Sequence, residues 1–368
     1  MFHLDIDRFW KDDEAAHADN CFAKAPQVAF GIRMSGECVY EELGEPGHPW
    51  MPEAHERVID LYRRYNDKAE RIVGRRLLDE QILPEDARFP YVKRIGEVFG
   101  GRYAYRNETE WLEKCIENET QLEKTLERVE RLDFRAFMLP ENWEPEKKRI
   151  FETYGLRPSP SRGIRGPVTL ACSVMGTEEF LFLLVDAPEL AVRFSRAITH
   201  AALEMSKVMD EEAGVDNKTR TGYGFADDNC CLLTPEMYEQ FGYPVLRDIF
   251  AYYSPNPTDS RYQHSDSAMG HLLPILGRLD LTGVNFGPTV LIPEIRAHLP
   301  NACVDGCISP MDFMRNDHSA LIEQTKRDCA DGIRCGGVNI TTAGSINNGS
   351  SLESMRLMMA VIQEHGRR

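Results

Sequence analysis

From about residue 160 onward the chain alternates short, β-rich apolar runs with longer stretches in which apolar residues recur every three or four positions. That alternation predicts a parallel sheet built from strand–helix units. Strands covered on both faces read as continuous apolar runs, and the covering helices show one apolar face. Six runs stand out: "IRGPVTLACS" from near Ile164, "TRTGYGFADD", "RYQH", "LTGVNFGP", "NACVDGCISP" and "RCGGVNITTAGS". The helical stretch after the first is expected to break at Pro188. Thr234 and Pro235 supply an N-cap and a first-turn proline for the next helix, and Ser350 with Glu353 has capping-box spacing ahead of the last.

Two earlier runs, 27–34 and 134–140, bring the strands to about eight, so the fold class is α/β, a (β/α)8 TIM barrel with a long helical N-terminal excursion. The stretch between them, 35–133, is far longer than an ordinary connection. It carries helical patterns such as "EAHERVIDLYRRYNDKAERIVGRRLL" and is read as a mostly helical insertion between the first two strands of one domain spanning 1–368. A small separate helical domain is the alternative.

Barrels of this kind do their chemistry at the C-terminal strand ends. The residues there are Asp227, Asp228 and Asn229; His264 and Asp266; Asn285; Cys307; and Asn339 with Thr341 and Thr342. His264 has three readings. It is a metal ligand beside Asp266 and the Cys307 thiolate, an acid or base oriented by Asp266 or Asp228, or a histidine bonded to backbone at a strand end. His271 reads as structural. Asp227 and Asp228 are adjacent and point in opposite directions, so one enters the pocket and the other caps a turn. Gly344 and Gly349 precede the last helix, whose amides either bind an anion or simply follow a glycine-containing loop.

Composition narrows the partners. The 368 residues carry a formal charge of -16, which excludes a nucleic-acid backbone or anionic membrane as the main partner. No apolar stretch reaches about 18 residues, and the N-terminus lacks a basic start followed by an apolar segment, so a cytoplasmic location is expected. Ten scattered cysteines, including adjacent Cys230 and Cys231, read as reduced thiols, many of them core residues.

"FPYVKRIGEVFGG", "RGPVTLACSVMGTEEFLFLLVDAPEL", "FADDNCCLLTPEMYEQFGYPVL", "QHSDSAMGHLLPILGRLDLTGVNFGP" and "GSINNGSSLESMRLMMAVIQEHG" follow one another across about residues 90 to 366. In order and spacing they resemble the uroporphyrinogen decarboxylase superfamily, in particular its corrinoid-linked, methyltransferase-like branch. The resemblance implies a barrel with its pocket at the strand ends, and zinc held by a His-x-Cys pair and a later cysteine. Here the histidine matches His264, the paired cysteine position holds Asp266, and the later cysteine falls near Gly344, so two thiolates are replaced. The true decarboxylases carry an arginine-rich N-terminal segment; in "FGIRMSGECVYEEL" only Arg33 takes such a position.

The leading expectation is a methyltransferase acting between a small substrate and a corrinoid (cobalamin) on a separate corrinoid protein. His264, Asp266 and Asp228 are its catalytic residues. His264, Asp266 and Cys307 are its zinc ligands, and Asp227, Asn229, Asn285, Asn339 and Arg33 contact substrate. Decarboxylation of a small or tetrapyrrole acid, and a non-catalytic ligand-binding barrel, are the alternatives. A homodimer is an allowed assembly.

Overall fold

The computed structural model describes residues 3–48, 51, 53–106 and 109–367. Nine strands occur among the described residues: β1 (Ala29–Phe30), β2 (Arg102–Arg106), β3 (Thr109–Glu113), β4 (Gly163–Arg165), β5 (Tyr223–Ala226), β6 (Arg261–Ser265), β7 (Gly283–Phe286), β8 (Cys303–Asp305) and β9 (Val338–Ile340). Seven form one sheet in the order β1-β9-β8-β7-β6-β5-β4, while β2 and β3 make a separate antiparallel ribbon. The pairs β1–β9, β9–β8, β8–β7 and β4–β5 are parallel, as the strand–helix alternation requires.

The chain groups into two compact units, one of Met1–Ile82, His264–Leu273 and Leu281–Arg368, the other of Leu83–Gln263 and Pro274–Asp280. In the first, the registers Val284↔Val304 and Val304↔Val338 align three valines that are fully buried. Helices His318–Cys335 and Leu352–His365 pack on one another in the same unit. Gln363 exchanges two hydrogen bonds with the backbone of Asp5, tying the last helix to the first, Ile6–Ala16. In the second unit, Phe180, Phe194 and Phe241 pack edge to face, and the buried Glu212 carboxylate meets Trp143, Lys147 and Arg135.

Several expected boundaries move. The run 134–140 is a helix, Phe134–Met138: the Asp133 side chain accepts from the Ala136 amide, and Phe134 and Met138, four apart, are both buried. The sheet therefore holds seven strands rather than eight. "IRGPVTLACS" is strand only to Arg165, because Pro167 opens a helix over Pro167–Met175. The insertion includes the β2–β3 ribbon as well as helices. Breaks and caps fall close to expectation, with Pro188 opening Pro188–Ala213, Thr234 capping Pro235–Tyr253, and Ser351 rather than Ser350 capping the last helix. No single helix among the described residues is long and apolar enough to cross a membrane.

Candidate functional site

In the first unit a row of polar side chains crosses the C-terminal ends of adjacent strands. Asp305 on β8 is in register with Asn339 on β9. Asn285 on β7 follows Val284, the partner of Val304, and so sits beside Asp305. Asn339 Nδ2 donates to Asp305 Oδ1 at 2.7 Å. Asn285 Nδ2 donates to two backbone carbonyls, Asp305 O at 2.5 Å and Thr342 O at 3.0 Å.

Those two bonds fix the asparagine amide, and the amide fixes the histidine. With Nδ2 committed to carbonyls, Asn285 Oδ1 is an acceptor, and it lies 2.7 Å from His264 Nδ1. An acceptor there requires Nδ1–H, so in the neutral ring the lone pair belongs to Nε2. Asn285 is buried at 7 % exposure, so this orientation is held out of competition with bulk water.

Asp266 follows β6 in a turn held by Ser265 Oγ and Ser267 Oγ, 2.7 Å apart, and its carboxylate is exposed. A Cβ placed on Gly344 would lie 3.4 Å from Asp266 Oδ2. Asp266 and Gly344 are thus neighbours in space. Asn339 requires room too: a Cβ on Gly31 would fall 2.5 Å from its Nδ2. Asn339 Oδ1 is a buried acceptor without a donor among the described residues.

Two expected site residues are corrected. Cys307, expected as a thiolate ligand, is fully buried; its amide donates to Asp328 Oδ2 at 2.8 Å, and burial pushes its thiol well above the ordinary range. It is a neutral core residue. In the second unit Asp227, expected to contact substrate, is also fully buried and accepts from the Thr169 amide at 2.8 Å and the Val168 amide at 3.5 Å, capping helix Pro167–Met175. Burial raises its carboxyl to about 6 against the pull of those amides. The Asp227 side chain thus caps an earlier helix rather than the turn that follows it, while Asp228 is half-buried at the start of that turn.

Asn229 is half-buried, its amide held by Thr169 Oγ1 at 3.0 Å. Arg33, three residues beyond β1, is exposed and makes no ion pair among the described residues. The anion reading of the last helix fails, since Glu42 Oε2 takes the Leu352 amide at 2.9 Å and Ser351 Oγ takes that of Ser354.

Asp305 is the residue the sequence reading missed. Its signal was present in "GVNFGP", "CVDGCI" and "GVNITT": three neighbouring strands each place an Asn or Asp directly after a buried valine, which puts Asn285, Asp305 and Asn339 in one row.

A sequence model described as uroporphyrinogen decarboxylase matches residues 163–365, more than half of the chain. No curated protein matches. Among solved structures, a methyltransferase from Methanosarcina mazei superposes with a TM-score of 0.59 at 14% identity, covering 96% of this chain and 97% of that one. At that identity the likeness shows the fold.

Proposed function

The chain belongs to the uroporphyrinogen decarboxylase family, and from that premise we propose that it is a methyltransferase moving a methyl group between a small oxygen-bearing substrate and a corrinoid carried by a separate protein. The observation that carries the reading is the His264–Asn285 pair, which directs an imidazole lone pair from Nε2. A fold shared with a protein named as a methyltransferase supports the same class.

His264 Nε2 and Asp266 make up a nitrogen-and-carboxylate pair that suits zinc or a similar divalent cation. A cation held by them would polarise a hydroxyl or ether oxygen. Asn285 holds the ring in the tautomer and orientation that present the Nε2 lone pair to the cation. With Asp266 where thiol-using relatives hold cysteine, the donors are harder, which favours an oxygen substrate over a thiol. Asn285 and Asn339 orient it by hydrogen bonding, and Arg33 pairs with a carboxylate on it.

The test has two parts. Metal content of the purified protein is measured by elemental mass spectrometry, with about one equivalent expected in the wild type and loss in His264→Asn and Asp266→Ala. Methylcobalamin is then offered with a panel of small alcohols, phenols and thiols, and its absorbance followed. Metal-dependent demethylation with an oxygen acceptor supports the reading. Carbon dioxide release from an acid without any corrinoid would replace it with decarboxylation, and absence of metal after growth in replete zinc would remove it.

A further inference from the structure

We propose that Cys21 and Cys303 form an oxidisable thiol pair, in which Cys21 reacts with a peroxide and Cys303 closes the product to a disulfide. The pair lies in the first unit at the opposite ends of the strands from His264. Cys303 is the first residue of β8, the Gly337 amide before β9 donates to Cys21 O at 2.9 Å, and Asn20 Nδ2 donates to Thr282 O, just before β7, at 2.8 Å.

Cys21 is held there at some cost in backbone strain. Asp19, Asn20 and Cys21 all have left-handed conformations, with φ of 50°, 51° and 65°. Three consecutive non-glycine residues in that region persist only where surrounding bonds impose them. Cys21, Cys303, Ala16, Ala25 and Ala29 form one small buried cluster, which sets the two cysteines side by side.

An Asp–His–Cys relay supplies the activation. Asp13 is buried; its Oδ1 accepts from the Phe30 amide at 2.8 Å and its Oδ2 lies 3.5 Å from His17 Nε2. The same nitrogen is 3.2 Å from Phe30 O. Two oxygen acceptors at Nε2 require a proton on it, so Nδ1, 3.9 Å from Cys21 Sγ, is placed to take the thiol proton. The groups facing Cys21 are His17, Cys303 and Asp305, with Asp13 behind His17 and Arg296 beside Cys303. Cys303, then His17, lower the Cys21 thiol to about 6 against burial. Asp13, then Cys21, raise His17 to about 10. Cys303, beside that thiolate and buried, is pushed up and stays protonated.

The chemistry balances with hydrogen peroxide as oxidant. The Cys21 thiolate attacks one peroxide oxygen, the O–O bond breaks, and the leaving hydroxide takes the thiol proton held on His17 to become water, giving a sulfenic acid. The Cys303 sulfur then attacks the Cys21 sulfur, the S–O bond breaks, and the departing hydroxide takes the Cys303 proton as a second water. Two thiols lose two electrons, and one peroxide is reduced to two waters.

The full-length reduced protein is treated with equimolar hydrogen peroxide and followed by intact and peptide mass spectrometry. The expected result is a loss of about 2 Da and a Cys21–Cys303 cross-linked peptide. Cys303→Ser should accumulate a dimedone-trappable sulfenic acid at Cys21, and Cys21→Ser should form neither product. The wild-type rate should rise with pH around a midpoint near 6. His17→Gln, checked for folding by circular dichroism, should move that midpoint upward and slow oxidation at pH 7 about tenfold. Oxidation of Cys21 no faster than that of the more exposed Cys115, Cys231 and Cys335, a disulfide to any other cysteine, or a midpoint indifferent to His17 would each overturn the proposal.

Discussion

Replacing Asn285 with leucine tests the central geometry, because one side chain makes three separable bonds. Its Nδ2 donates to Asp305 O and Thr342 O, and its Oδ1 accepts from His264 Nδ1. Leucine has nearly the same shape and none of these groups. Each of the three partners left unmatched costs about 1–3 kcal/mol. Added apolar burial returns about 1–2 kcal/mol at a site that is only 7 % exposed. The expected net loss is about 1–8 kcal/mol, read as a lower urea midpoint with an unchanged slope. The second readout is chemical. Long-range proton–nitrogen spectra of histidine-labelled protein, with His264 assigned by subtraction using His264→Asn, should show the Nδ1–H tautomer in the wild type and a mixture in Asn285→Leu. Metal affinity should fall about 10–100-fold, the usual effect of losing the partner that orients a ligating histidine. An Nε2–H tautomer in the wild type would refute the argument at its root, whatever the stability data show.

Three further outcomes follow from the same structure. Gly31→Ala places a methyl group against the Asn339 amide and should destabilise by about 1–3 kcal/mol in urea unfolding; a wild-type midpoint would show that Asn339 has room to move. Asp227 has a folded-state value near 6, above the ordinary 3.8, so the folded protein holds its proton more tightly than the unfolded chain. Its contribution is therefore greatest below about pH 4 and is lost as pH rises through 6. The stability difference between wild type and Asp227→Asn should change by about 3 kcal/mol between pH 4 and 7, and a pH-independent difference would count against the burial argument. Cys307→Ala should leave metal content unchanged by elemental analysis, since the thiol is a neutral core group; loss of the metal would return Cys307 to the ligand set.

The legible parts of the fold were those in which one physical cause acts locally. A strand followed within a few residues by a capped helix announces itself, as at Thr234 and Pro235, because the cap and the first-turn proline lie in the same short segment. Residues 134–140 were misread because "FRAFMLP" has the aromatic and apolar content of a strand, while the decision rests on one bond from Asp133 to the Ala136 amide. The two-residue β1 is legible only as part of a longer apolar run, since its pairing with β9 lies some 310 residues away. Distance in sequence also hid the role of Asp227, whose partner Thr169 is 58 residues earlier.

The site divides along the same line. His264, Asn285 and Asn339 stand out because a polar residue closing an apolar run is visible one strand at a time, whereas Asp305 emerges only when neighbouring strands are compared with one another. Once "VNF", "VDG" and "VNI" are aligned by register, Asp305 has the same standing as its neighbours, and the row becomes a connected set of hydrogen bonds. That connection gives the Asp266 substitution its significance. The support that orients His264 consists of amide and carboxylate groups on rigid strand ends and owes nothing to the two missing thiolates. Asp266 Oδ2 lies 3.4 Å from the point that a Cβ on Gly344 would occupy. A carboxylate in place of a thiolate therefore changes what the histidine works with while leaving the histidine in position. Asp266→Cys should then shift metal preference toward softer ions such as cadmium without altering the His264 tautomer, and a tautomer that follows residue 266 would show that the two sides of the site are not independent.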